Sequence, residues 1–366
     1  MGIFKHKPKG YLGLDFGAGG IKIIQLARAP GRSALFTYGY GDRAPQEIGV
    51  DYLENPAVSG ELLKRVCTAA RVTSAVAVAA LPIPAVFSAV LSLAAVPKKE
   101  MAQAVQWEAK KLIPLPLEEV TVDFKELKRA DSAASEVIKK TDAARDEAHG
   151  KSVEILLTAA PRSIIEKYVA IAKLAGLTLA SLETEAFALI RAILGADPTP
   201  TIIVDMGAVR SNILFVDRSI PMLTRSVEIG GRKCTEAIAG ALGIDLTRAE
   251  AMKRDLGVSP LPAESPSGGL HSVIKEVLQP LLNEMKYSFT VYRTRNIFAR
   301  PPERIVLTGG GAVLPGLPEM FTAEFGLRAF IGSPWERVQY HPDLAPTLGL
   351  LGNRFAVAIG LALRNI

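Results

Sequence analysis

Apolar residues come along this chain in short runs closed by glycine, and two of these runs share one pattern. Residues 11–26 read YLGLDFGAGGIKIIQL and residues 201–216 read TIIVDMGAVRSNILFV, and they lie on each other without a gap. Each is an apolar, β-prone run, then Asp-x-Gly-Ala, a few small or polar residues, and a second apolar run, which predicts a β-hairpin with glycine at its tip. Asp15 falls on Asp205, Gly17 on Gly207 and Ala18 on Ala208. One Asp-x-Gly is ordinary turn chemistry. Two copies in one frame, 190 residues apart, indicate a duplicated unit.

The pattern elsewhere predicts strands over 11–36 and a helix near 56–70. Residues Val72 to Pro97 carry no charge over 26 positions, long enough to cross a bilayer. Pro82 and Pro84 interrupt that stretch, so it reads as two buried parallel-sheet strands around a Leu81-Pro82-Ile83-Pro84 turn. The order from 85 to 177 is strand, helix (97–112), strand (120–127), strand (152–159), helix (161–175), with Pro161 in the last helix's first turn. Residues 128–151 are charged and small: a flexible hairpin tip by default, a functional tail as the sharper alternative. Residues 265–269 form a second loop. Val273, Val277, Leu278, Leu281, Leu282 and Met285 recur at helical spacing, a core-packing stripe that Pro280 would bend or restart.

Length and composition narrow this picture. A chain of 366 residues suggests two domains of about 150 residues each. With 49% hydrophobic and 22% charged residues it is globular. The charge of +6 is scattered apart from the tail Lys5-His6-Lys7-Pro8-Lys9. No basic and aromatic residues interleave, which argues against nucleic acid and leaves open an anionic membrane surface or an acidic partner. Cys67 and Cys234 have neither disulfide-framework nor metal-ligand spacing, as in a reducing compartment. Gly13-Leu14-Asp15 interrupts any apolar signal run, so a cytoplasmic protein is expected.

The repeated turns carry the candidate chemistry. Glycine lets backbone N–H groups approach phosphate oxygens. An aspartate at the end of a buried strand needs a partner, which a hydrated Mg²⁺ on a polyphosphate supplies. Lys22 can return to the phosphates as a point charge. A third element, Arg304-Ile305-Val306-Leu307-Thr308-Gly309-Gly310-Gly311-Ala312, runs a β-branched strand into three glycines that can pass close to a flat ring or a phosphate, or form a plain strand-to-helix loop.

These elements in this order resemble the actin/Hsp70/sugar-kinase superfamily: a phosphate-1 motif (Asp15 to Lys22), a phosphate-2 motif (Asp205 to Asn212) and an adenosine motif (Leu307 to Gly311). Within it the chain is similar to the PilM family of type IV pilus assembly, more distantly to the division protein FtsA. That likeness rests on Val105-Gln106-Trp107-Glu108-Ala109, Ile113-Pro114-Leu115-Pro116-Leu117-Glu118-Glu119-Val120, Thr121-Val122-Asp123-Phe124, Glu228-Ile229-Gly230-Gly231 and Leu246-Thr247-Arg248-Ala249-Glu250. The resemblance implies an α/β, actin-like fold of two ribonuclease H-like lobes, with an FtsA/PilM-type 1C subdomain over 85–177 and a 2B subdomain over 233–296. It implies ATP or ADP with Mg²⁺ held through water by Asp15 and Asp205. Gly17, Ala18, Gly19, Gly20 and Lys22 would hold phosphates from one lobe, and Gly207, Asn212, Gly230 and Gly231 from the other. Glu250 and Lys253 would grip ribose and adenine, and Gly309, Gly310 and Gly311 would line the base. Glu185 matches a hinge carboxylate and is a weak candidate for orienting water; Ala358-Ile359-Gly360 would be the other hinge. Ala18 replaces the usual Ser or Thr, and Ala186 a frequent proline. The implied role is a cytoplasmic, inner-membrane-peripheral scaffold that binds the cytoplasmic N-terminal peptide of PilN and meets other inner-membrane complex and motor proteins, with homo-oligomers in view. An FtsA-like filament protein, which usually ends in an amphipathic anchor not seen after 363–366, and a small-metabolite kinase are the alternatives.

Overall fold

A computed structural model of the chain describes residues 12–29, 32–94, 96–127, 152–258, 268–295 and 300–365. The basic tail 5–9, the charged segment 128–151 and Ser265–Ser267 lie outside them. The strands are β1 (Leu12–Gly17), β2 (Gly20–Arg28), β3 (Ser33–Asp42), β4 (Val76–Leu81), β5 (Phe87–Ala94), β6 (Val120–Glu126), β7 (Ser152–Pro161), β8 (Thr178–Thr184), β9 (Thr201–Met206), β10 (Ser211–Asp217), β11 (Ile220–Val227), β12 (Arg304–Thr308), β13 (Arg328–Ile331) and β14 (Val338–Gln339). The helices are α1 (Pro56–Ala69), α2 (Lys98–Leu112), α3 (Arg162–Leu174), α4 (Glu185–Ile193), α5 (Gly231–Leu242), α6 (Leu246–Val258), α7 (Gly268–Arg295), α8 (Leu317–Phe325), α9 (Ala345–Leu351) and α10 (Ala356–Ala362). Two compact units emerge, Met1–Ile83 with Lys167–Ile366, and Pro84–Glu166.

The larger unit holds two sheets of one design. The first runs β14-β3-β2-β1-β4-β8 and the second β11-β10-β9-β12-β13. In each, three antiparallel strands lead into two parallel ones. The internal similarity of 11–26 and 201–216 is therefore one visible part of two equivalent sheets. Residues on β9 and β10 alternate between two cores. Ile202, Val204, Ile213 and Phe215 pack under Leu278, Leu281, Leu282 and Met285 of α7. Ile203, Leu214 and Val216 join Val78 and Ala80 of the first sheet, with Leu189 of α4 and Leu361 of α10 between. With both faces covered, the strands carry continuous apolar runs.

Helices α4 and α10 cross at very short range. A Cβ on Gly360 would sit 1.9 Å from the Ala188 carbonyl oxygen. Arg191 donates to the Gly360 carbonyl and, at 2.7 and 2.9 Å, to Glu183. The expected helix stripe lies in α7, which runs through an exposed Pro280 without restarting. One stretch, Pro342–Ala362, is long and apolar enough to cross a membrane by length and composition, but half is buried, and Phe355, Ala358 and Ile359 pack with Ile24, Leu26 and Trp335.

The smaller unit is an antiparallel sheet, β5-β7-β6, under α2. Val105 and Ala109, one turn apart, and Ile113 meet Leu93, Val120, Ile155 and Leu157. The uncharged stretch 72–97 thus divides differently from its parallel-strand reading. Strand β4 is a buried parallel strand of the larger unit, whereas β5 is half-buried and antiparallel. Sheets stacked on one face need fewer apolar residues, and nothing in an uncharged run records which sheet it joins. Pro161 ends β7 opposite Val120, one residue before α3.

Candidate functional site

Both hairpins hold their aspartate in the same register. Asp15 pairs with Lys22 across β1 and β2, leaving Ala18-Gly19 as the turn. Asp205 pairs with Asn212 across β9 and β10, and the wider turn Gly207–Arg210 is closed by a Gly207 N–H donating to the Arg210 carbonyl at 2.9 Å. Each cross-strand partner binds its aspartate, Lys22 Nζ at 3.0 Å from Asp15 Oδ2 and Asn212 Nδ2 at 3.3 Å from Asp205 Oδ2. The tips face one another: a Cβ on Gly19 would lie 3.0 Å from that of Ala208.

Each tip is tied from behind through its carbonyl oxygens. Arg43 and Gly49 donate backbone N–H groups to Gly19 and Ala18, at 3.1 and 3.3 Å. Gly231 and Arg232, the first residues of α5, donate to Gly207 and Ala208 at 3.0 and 2.8 Å, which satisfies two of the N–H groups that a helix start leaves free. Gly311 donates to Met206 at 2.8 Å. Gly309 has φ +84°, and a Cβ there would come within 2.5 Å of Asp205 Oδ1 and the Met206 carbonyl oxygen. The third glycine element therefore packs against the stem of the second hairpin, where only glycine fits.

Between the tips lies a cavity of about 370 Å³. Asp15, Gly17, Ala18, Gly19, Lys22, Asp205, Gly207, Asn212, Gly231, Glu250, Lys253 and Gly309 to Gly311 all line it, as does Glu185. Gly20 and Gly230 do not; Gly230 packs behind Ala208 and Val209. The sequence reading missed Arg43, Arg210, Arg232, Arg254, Arg354 and Asn353, which also line the cavity. Arg210, Arg232 and Arg254 lie inside or directly beside named motifs and Arg43, Asn353 and Arg354 outside them, and no spacing marks any of the six. Seven cationic side chains thus face four carboxylates in the wall, a balance suited to a polyanion.

Burial and mutual repulsion shape the carboxylates. Burial, then the charge of Asp15, pushes Asp205 up to about 6. Glu185 opens α4 behind its N-cap Thr184. Burial outweighs the nearby Arg210, whose Nη2 is 3.8 Å away, and raises Glu185 to about 7. Its Oε2 accepts from the Ile83 N–H at 3.1 Å and from Asn212 at 3.4 Å, so it is bound to both hairpin neighbourhoods. Burial also opposes ionisation of Glu250, but Lys253, Thr235 and Arg254 outweigh it and hold that carboxyl below its ordinary range. Lys253 Nζ reaches Glu250, Thr235 and the Gly231 carbonyl at 2.6, 2.7 and 2.9 Å, locking α6 onto the start of α5.

The family model described as type IV pilus assembly protein PilM matches residues 13–366. This chain belongs to the PilM family. A chain of a solved PilM-PilN type IV pilus biogenesis complex is similar throughout: 28% identity, 97% of this chain and 98% of that one covered, TM-score 0.77. The division protein FtsA of Streptococcus pneumoniae is 24% identical over 214 residues, 53% of this PilM-family chain and only 46% of FtsA. MreB5 of Spiroplasma citri bound to AMPPNP (13% identity, TM-score 0.50, 96% and 94% covered) and EutJ of Carboxydothermus hydrogenoformans (15%, 0.53, 99% and 92%) share the fold. The expected actin-like, two-sheet architecture is therefore the one this PilM-family chain has.

Proposed function

We propose that this PilM-family protein is an ATP-binding scaffold of the type IV pilus assembly complex, at the cytoplasmic face of the inner membrane, that docks the cytoplasmic N-terminal peptide of PilN. The observation carrying the partner is the likeness over nearly the whole chain to a PilM-PilN complex. The nucleotide reading rests on the facing hairpin tips, Asp15 and Asp205 at one cavity, and the cationic wall. The donor set fits a hydrated Mg²⁺. Two carboxylates share the cavity, and the charge of one disfavours ionisation of the other, a conflict that a divalent cation relieves. Asp15 and Asp205 would hold it through water, and it would neutralise phosphate charge there. Ala18, Gly19 and Gly207 would present backbone to the phosphates, while Lys22 and Asn212 hold the aspartates in place. Glu250 and Lys253 would flank the ribose and base opposite Gly309 to Gly311.

The nucleotide then acts as a structural ligand that favours the closed lobe arrangement by binding it better. The partner test is a calorimetric titration of the full chain with a synthetic PilN N-terminal peptide, with and without MgATP. Saturable binding that strengthens with MgATP is expected; no binding in either condition sinks the scaffold reading.

A further inference from the structure

Arg43 follows β3 and has no counterpart in the repeated motif. Its backbone N–H binds the Gly19 carbonyl at 3.1 Å, which places it beside the first tip, and its side chain enters the cavity wall. The guanidinium carbon sits 3.9 Å over the centroid of Tyr52, itself 4% exposed and held edge-on by Phe16 at 5.9 Å. Nη1 donates to the Glu47 carbonyl at 3.2 Å. Among the described residues the buried Arg43 Nε has no hydrogen-bond partner, and neither does the buried Tyr52 hydroxyl beneath it. A guanidinium stacked on Tyr52 in the wall of a polyanion cavity, with its buried Nε left without a partner, is matched in charge and donor chemistry by a phosphate oxygen. The segment after Arg43 is braced from the other lobe, because Arg232 donates to the Ile48 carbonyl and Gln46 to Thr247 at 3.4 Å.

We propose that Arg43 reads the outermost phosphate of the bound nucleotide and makes the site prefer a triphosphate over a diphosphate. This rests on the nucleotide reading above and goes beyond it in naming the residue that discriminates. The outermost phosphate is favoured because Arg43 is bonded to the Ala18-Gly19 turn, the part of the first hairpin that reaches furthest toward the opposite tip. A preordered charged donor of this kind carries discrimination on the order of tenfold or more.

The test is calorimetric titration of the full chain with ATP and with ADP, each in excess Mg²⁺, for the wild type, Arg43→Ala and Arg43→Lys. For Arg43→Ala, ATP affinity should fall about ten- to a hundredfold while ADP affinity stays within about threefold. Arg43→Lys should lie between, keeping charge but losing the planar stack. An ATP-to-ADP affinity ratio unchanged in both variants, or an equal loss for both nucleotides, overturns the assignment and leaves Arg43 as packing for Tyr52. A wild type that binds neither nucleotide overturns the underlying site reading instead, so the two failures are distinguishable.

Discussion

Asp205 is folded into a place where its charge is costly, and that cost gives the site its sign. Its carboxyl, normally near 3.8, rises to about 6 through burial and the charge of Asp15, so the folded state holds the proton more tightly than the unfolded chain. Without a bound cation this contributes nothing well below pH 4. It removes stability as pH climbs from about 4 through 6, to a total on the order of 2–3 kcal/mol. Glu185, raised to about 7, extends the decline toward neutrality with the same sign. We expect the nucleotide-free protein to melt higher at pH 4.5 than at pH 6.5 through these two groups, and Asp205→Asn to flatten that slope and raise the melting temperature at pH 8. A slope equally steep in Asp205→Asn would show that its buried charge is not the cause. The motif of Asp205 was legible in the sequence, whereas Arg43 was not, because a lone arginine reveals its neighbour only once the chain is folded.

Among the elements, the α4–α10 crossing joins the two sheets. Its side chains Leu189 and Leu361 share a core with Val78 and Ile203, and the backbones approach too closely for any side chain at Gly360. Gly360→Ala should destabilise by about 3 kcal/mol or more, since two helices would have to move apart. Gly349→Ala in α9, where a Cβ meets no described residue within 4 Å, should change stability by less than about 1 kcal/mol. Urea melts of the two variants make the comparison, and equal midpoints would refute the packing argument. The family resemblance implies a hinge at Ala358-Ile359-Gly360. What the folded chain adds is that Arg191 clips that backbone to Glu183.

For the molecule as a whole, two sheets that share one five-strand order, the first extended by β14, each bring one aspartate-bearing hairpin to the same cavity. A ligand spanning both should stabilise the pair together. At a hundredfold excess over Kd, MgATP should add about 2.7 kcal/mol, read as a rise in melting temperature that Asp15→Ala removes. Because metal binding wants both carboxylates ionised, the rise should be larger at pH 8 than at pH 5.5. A rise independent of both the pH and Asp15 would mean that nucleotide binds elsewhere.

The duplicated hairpins, the glycine-closed third element and the strand and helix periods follow from residue order alone, since they depend on backbone sterics and local burial within a few residues. The same order also holds the family likeness along its length. It takes the packed chain to bring the two hairpins face to face, to send β4 and β5 into different sheets, and to gather five arginines at one wall. The reason is physical: an apolar run or a single charge specifies the environment it needs, but which distant segment provides that environment is set by how the sheets and helices pack.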